Sequence, residues 1–129
     1  MNLLAIDYGL ANIGLAISTD SLLAQPLHGF KSKSLKHTIS TVSRLIHTHH
    51  IDRVILGRPT GKLKTAIEHF GQQLLTATSL PIEYVDEEYT TNEAIFNARQ
   101  AGKKKAKIKT QEHSLAAAVI LQSYLDSLT

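Results

Sequence analysis

Residues 3–18 read Leu3-Leu4-Ala5-Ile6-Asp7-Tyr8-Gly9-Leu10-Ala11-Asn12-Ile13-Gly14-Leu15-Ala16-Ile17-Ser18, and this stretch decides the fold. Leu3 to Ile6 is an unbroken apolar run, the pattern of a strand buried on both faces. It ends in a carboxylate, Asp7, which is costly to bury unless a cation or hydrogen-bond donor meets it. Gly9 and Gly14 then allow a tight turn and close backbone approaches that a side chain would block. A second apolar run, Gly14 to Ile17, follows at once. The expected unit is two strands, about 2–7 and 13–18, with an acid held at the end of the first.

The rest of the chain sets limits on what that acid can do. At 129 residues a single domain spanning 1–129 is expected, with one well-formed core. There is no Cys, which excludes disulfides, zinc–thiolate sites and thiol catalysis. There is no Trp and little aromatic content, so base stacking is not expected to dominate any nucleic-acid contact. No apolar stretch approaches the length of a membrane span. The first residues lack the charged lead and cleavage site of a secretory signal, so a cytoplasmic protein without a membrane partner is expected. The pI of about 9.2 is compatible with a polyanionic partner. The charge distribution says more. Six of the 14 Lys and Arg fall between Arg99 and Lys109, and five of the 11 acids fall between Glu83 and Glu93. An acidic cluster followed by a basic segment suggests a metal site beside a phosphate-binding surface.

Thr19-Asp20-Ser21 reads as a turn, and a third strand is expected over 22–30, at a sheet edge because of Pro26. From Ser34 to His50 the apolar period becomes helical, through Leu35, Ile39, Val42, Leu45 and Ile46, with Ser34 placed to cap. Arg53 to Gly57 reads as a buried strand and 62–78 as a second helix. Pro81 precedes a short strand, Ile82 to Val85, ending at Asp86-Glu87-Glu88. A third helix is expected from Thr91 to Gln100, stopped by Gly102. A basic loop, Lys103 to Lys109, leads to a last helix from Thr110 to Leu128. The order βββαβαβαα predicts an α/β protein: a five-stranded mixed sheet, three antiparallel strands then two parallel ones, flanked by helices. That is the ribonuclease H-like sheet. An Asp-x-Gly turn also serves actin-like and sugar-kinase-like folds, but those need a second domain to close the cleft.

Asp7 is the first candidate for chemistry. The second is the run Asp86-Glu87-Glu88, whose mutual repulsion favours a nearby cation. Acids at a helix N-terminus are the bland explanation, with Thr90 or Thr91 as the cap. Strand alternation puts Asp86 and Glu87 on opposite sides, so one of them lines the site. His113 is the third, in the first turn of a helix whose face carries Ala116, Ala117, Ile120 and Tyr124. Small alanines allow that helix to pack closely on the sheet, bringing His113 toward Asp7. A shared ion predicts that Asp7, one of Asp86 or Glu87, and His113 converge to within about 4–8 Å. Lys103, Lys104, Lys105, Lys107 and Lys109 form either a solvated surface or a phosphate-backbone contact. His47, His49 and His50, at a helix end, suit the helix dipole better than a zinc site.

These residues resemble the YqgF/RuvX family of Holliday-junction resolvases and pre-16S rRNA processing nucleases. The likeness covers nearly the whole chain. It rests on Asp7-Tyr8-Gly9 with Gly14 to Ala16, on Val54-Ile55-Leu56-Gly57-Arg58-Pro59, on Asp86-Glu87-Glu88-Tyr89-Thr90-Thr91, and on Ser114 to Tyr124. It implies a ribonuclease H-like fold and three acids holding divalent metal. Asp7 matches the first acid, and Glu87 matches the second with Asp86 beside it. The third falls on His113. Glu112 is a poor substitute, because it points about 100° away around the helix. Glu88 stands where the family has Arg, and the loop after the fourth strand is shortened to Arg58-Pro59-Thr60-Gly61-Lys62, where Arg58 and Lys62 are expected to supply phosphate contacts.

The resemblance implies a metal-dependent nuclease acting on precursor rRNA or branched DNA, with Asp7, Glu87 and His113 as its catalytic residues. The ion would be Mg²⁺ or Mn²⁺, with Mn²⁺ favoured because imidazole is a softer donor than carboxylate. A monomer or weak dimer is expected. The rival is a nucleic-acid-binding module with a degenerate site.

Overall fold

The computed structural model describes residues 1–58, 61–86 and 109–128. Among these residues eight elements follow one another: β1 (Leu3–Tyr8), β2 (Asn12–Ser18), β3 (Gln25–Lys31), α1 (Leu35–Thr48), β4 (Arg53–Arg58), α2 (Leu63–Thr78), β5 (Ile82–Asp86) and α3 (Lys109–Ser127). The expected helix over 91–100 lies outside the described residues.

The five strands form one sheet in the order β3-β2-β1-β4-β5. β1 pairs antiparallel with β2, and β2 with β3. β4 is parallel to β1, and β5 to β4. β1 is therefore central, which explains its apolar run: Leu3, Leu4, Ala5 and Ile6 are all buried. Alternation divides the core. Leu4, Ile6, Ile13, Leu15, Val54 and Leu56 face α1 and α2, where Val42, Ile46, Ile67, Phe70 and Leu74 meet them. Leu3, Ala5, Ala16 and Ile55 face α3, against Ala117, Ile120 and Leu121. Tyr8 stacks on Phe70, with ring centroids 4.5 Å apart, so it points to the α2 side. Its neighbour Asp7 is left on the α3 side.

α1 begins as the sequence predicts: the Ser34 hydroxyl accepts from the His37 amide at 3.0 Å. β3 is displaced from the expected 22–30. The Asp20 carboxylate accepts from the amides of Leu22 and Leu23, at 2.9 and 3.1 Å, and closes a turn there instead. Gln122 of α3 then clasps the same segment, accepting from Ala24 N–H and donating to the Leu22 carbonyl. Pro26 sits in the edge strand, as its missing donor requires.

Candidate active site

The three parallel strands end at one edge of the sheet, and the crevice outside such strand ends is the usual ligand site of α/β sheets. Asp7 lies there, near the end of β1, only 5% exposed. α3 starts at the same edge and brings His113 to it. His113 Nδ1 lies 2.7 Å from Asp7 Oδ2. The His113 side chain keeps 25% of its surface accessible, so the pair opens to solvent through the ring.

Two glycines and a serine make this contact possible. A Cβ on Gly14 would stand 2.1 Å from the carbonyl carbon and oxygen of His113 and 2.5 Å from the amide nitrogen of Ser114. The helix backbone thus rests on the bare strand. A Cβ on Gly9 would lie 3.3 Å from His113 Cε1, and the Gly9 amide closes the β1–β2 turn onto the Asn12 carbonyl at 3.1 Å. The pairing of β2 with β3 shifts register between Ile13 and Leu15. There the Ser114 hydroxyl, 3% exposed, accepts from the Leu15 amide at 3.1 Å. Buried amides need partners, so this bond fixes the height of α3 above the strand. At the far end Arg53 donates to the Tyr124 hydroxyl at 2.9 Å, and that hydroxyl donates to Glu83 at 2.8 Å.

The structure pairs Asp86, one of the expected metal ligands, with Arg58 on the sheet face opposite Asp7. Asp86 follows the alternation of Ile82 and Tyr84, both packed on the α1/α2 side. It pairs with Arg58, its register neighbour, at 2.8 Å. The Arg58 guanidinium holds the Asp86 carboxyl below the usual carboxylate range. Arg58 also lies over the Tyr84 ring, 5.2 Å from its centroid, and 3.9 Å from Glu68. Its expected phosphate contact therefore competes with two carboxylates and an aromatic ring on the α2 side. Lys62 is exposed at the start of α2. Glu87, Lys103, Lys104, Lys105 and Lys107 lie outside the described residues, and Lys109 is the first residue of α3. Among the described residues no three His, Asp or Glu side chains gather as a metal cluster.

The donor types of the Asp7–His113 pair suit a divalent ion. The carboxylate oxygen and the imidazole nitrogen 2.7 Å apart share a hydrogen bond, and a carboxylate and an imidazole Nε2 are both ligand types for such an ion. A carboxylate against one ring nitrogen also fixes the imidazole's orientation and leaves Nε2 for other work. Sequence reasoning missed Ser114 as a positioning residue, although a hydroxyl directly after His113 was visible.

The RuvX family profile, described as Holliday junction resolvase, matches residues 1–127. A protein of Chloroflexus aurantiacus named "Putative pre-16S rRNA nuclease" is 36% identical over 97% of this chain and 86% of its own length. One of the same name from Dictyoglomus turgidum is 34% identical over 100% of this chain and 96% of its own. Among solved structures, Thermus thermophilus RuvC in complex with a Holliday junction superposes with a TM-score of 0.66 at 17% identity, covering 100% of this chain and 97% of that one. The fowlpox virus Holliday junction resolvase gives 0.60 at 19% identity, with both chains fully covered. At such identities these two structures show a shared fold.

Proposed function

Since the chain belongs to the RuvX family, we propose that it is a metal-dependent nuclease that hydrolyses phosphodiester bonds in the 5′-end processing of pre-16S rRNA. The single observation that carries the nuclease reading is the 2.7 Å contact between His113 and the buried Asp7, at the edge where the parallel strands end. Asp7, His113 and Glu87 would hold the ion. Glu87, which the family motif matches to the second acid, is proposed for that role because Asp86 is paired with Arg58. When bound, a divalent ion supplies Lewis acidity toward the phosphate and an activated water. Asp7 anchors the site's negative charge and orients the imidazole. With Nδ1–H turned to Asp7, His113 keeps one lone pair, on Nε2, which would either bind the ion or position the attacking water. Lys62 and the tract Lys103, Lys104, Lys105, Lys107 and Lys109 would contact phosphates on either side.

The profile's own description favours a second substrate, the four-way DNA junction. The test uses both. Wild type and Asp7→Asn are incubated with a pre-16S 5′-leader RNA and with a four-way DNA junction, each with Mg²⁺ and with Mn²⁺. We expect metal-dependent cleavage of the RNA that disappears in Asp7→Asn. Cleavage of the junction alone selects the resolvase reading. Binding without cleavage by wild type selects the degenerate binding module.

A further inference from the structure

The described charge of this protein is lopsided in a way the metal site does not use. From Ser21 to Ile51 the chain carries no Asp and no Glu. It carries Lys31, Lys33, Lys36 and Arg44 there, all exposed. None of the four makes an ion pair among the described residues, whereas Arg53 and Arg58 both do. Unpaired cations without acids between them set up a local positive field, which attracts a polyanion.

The fold puts Lys31 on the face of the site, and Lys33 and Lys36 just after it, where the chain leaves that sheet edge and enters α1 on the opposite face. Lys31 is the last residue of β3 and pairs in register with Asn12. Asn12 shares a sheet face with Gly14, the register partner of Asp7. Phe30, packed into the core on the α1/α2 side, leaves Lys31 on the face that carries Asp7 and His113. Two strand spacings and a two-residue offset place the Lys31 and Asp7 backbones about 12 Å apart. Ser32 then locks the segment: its amide donates to the Ala11 carbonyl in the β1–β2 turn at 2.8 Å, and its hydroxyl lies 2.6 Å from that of the buried Thr38. Lys33 follows directly, and Lys36 lies in the first turn of α1, a turn that holds no acidic residue. Arg44 is more than two turns further along α1, away from the edge.

We infer that Lys31, Lys33 and Lys36 form a phosphate-binding rail for a single RNA strand leading into the Asp7–His113 site. The inference rests on the nuclease reading above and adds the surface by which its RNA is held. The occupant is the sugar–phosphate backbone, because the rail offers charge, while its two rings, Phe30 and His37, are packed edge-on against each other at 5.9 Å.

The test reads binding apart from cleavage. A labelled pre-16S 5′-leader RNA is titrated without divalent ion over a range of NaCl concentrations. The proteins are wild type, the triple variant Lys31→Gln/Lys33→Gln/Lys36→Gln, the triple Lys→Arg variant, and Arg44→Gln. Thermal melts check that each is folded. Each phosphate contact on a single strand contributes about 0.7 to the salt slope, so losing three should flatten it by about 2. From equal affinity at 1 M salt, that is about a hundredfold weaker binding at 0.1 M for the Gln variant. The Arg variant should keep the wild-type slope, and Arg44→Gln should lose far less than the Gln triple. An unchanged slope in a folded Gln triple overturns the rail and leaves the nuclease reading standing. An equal loss in Arg44→Gln overturns it too, because the effect is then diffuse charge. Binding of junction DNA but not RNA overturns the RNA assignment. If wild type neither binds nor cleaves either nucleic acid, the nuclease reading fails and the rail fails with it.

Discussion

Replacing Gly14 by Ala tests the geometry on which the whole site stands. The added carbon would sit 2.1 Å from the His113 carbonyl and 2.5 Å from the Ser114 nitrogen. Both are helix backbone, which no rotamer change can move aside. Restoring ordinary contact at about 3.4 Å requires α3 to lift by about 1 Å, since interiors are packed without slack. Overpacking of this kind costs about 1–3 kcal/mol. The same lift stretches the Ser114–Leu15 bond and strands a buried amide, at about 1–3 kcal/mol. These costs overlap, so about 3 kcal/mol is a fair total. For a domain of this size that lowers Tm by about 10 °C. The lift also pulls His113 from Asp7, and a misplacement of about 1 Å is worth about a hundredfold in rate. Thermal melts of Gly14→Ala, with RNA cleavage beside them, check both numbers. Gly57→Ala is the control: its new carbon meets Ile120 at 2.6 Å, but at the tip of a flexible side chain. It should cost less and be relieved by Ile120→Val. A Gly14→Ala protein that melts with wild type and cuts at the wild-type rate would refute the close packing of α3 on β2.

Two further expectations concern the metal and acid stability. Imidazole is a softer donor than carboxylate, so wild type should cleave faster with Mn²⁺ than with Mg²⁺, and His113→Asp should raise the Mg²⁺-supported rate; equal rates with both ions in both proteins would remove His113 from the metal. Asp86 is held below its ordinary range by Arg58, so its ionised form stabilises the fold above about pH 4. That contribution disappears as pH falls through the lowered value. Asp86→Asn should flatten the acid limb of a Tm-against-pH curve and leave the slope near neutrality unchanged; an acid limb identical to wild type would mean that the Arg58 pair contributes nothing to acid stability.

What was legible in the sequence was local pattern. An apolar run on both sides of β1 announces a central strand, because only a strand covered on two faces can afford Leu3, Leu4, Ala5 and Ile6 in succession. Ser34 announces the start of α1 by a bond that spans only three residues. The strand-then-helix periods predicted the three antiparallel and two parallel strands that the sheet contains. Asp7, Glu87 and His113 were named as a set through the motifs of a known family. The tertiary structure decided everything that depends on partners distant in sequence. Asp86 turned out to face α2 because Arg58, 28 residues away, waits beside it in register. β3 begins late because Asp20 and the remote Gln122 take its first amides. The lysines near Ser32 join the site edge because the Ser32 amide reaches the Ala11 carbonyl. His113 touches Asp7 across 106 residues because Gly14 has no side chain to keep the helix away. Periodicity records which face a residue prefers, but strand register and helix docking select its neighbours, and those depend on contacts that no local window contains.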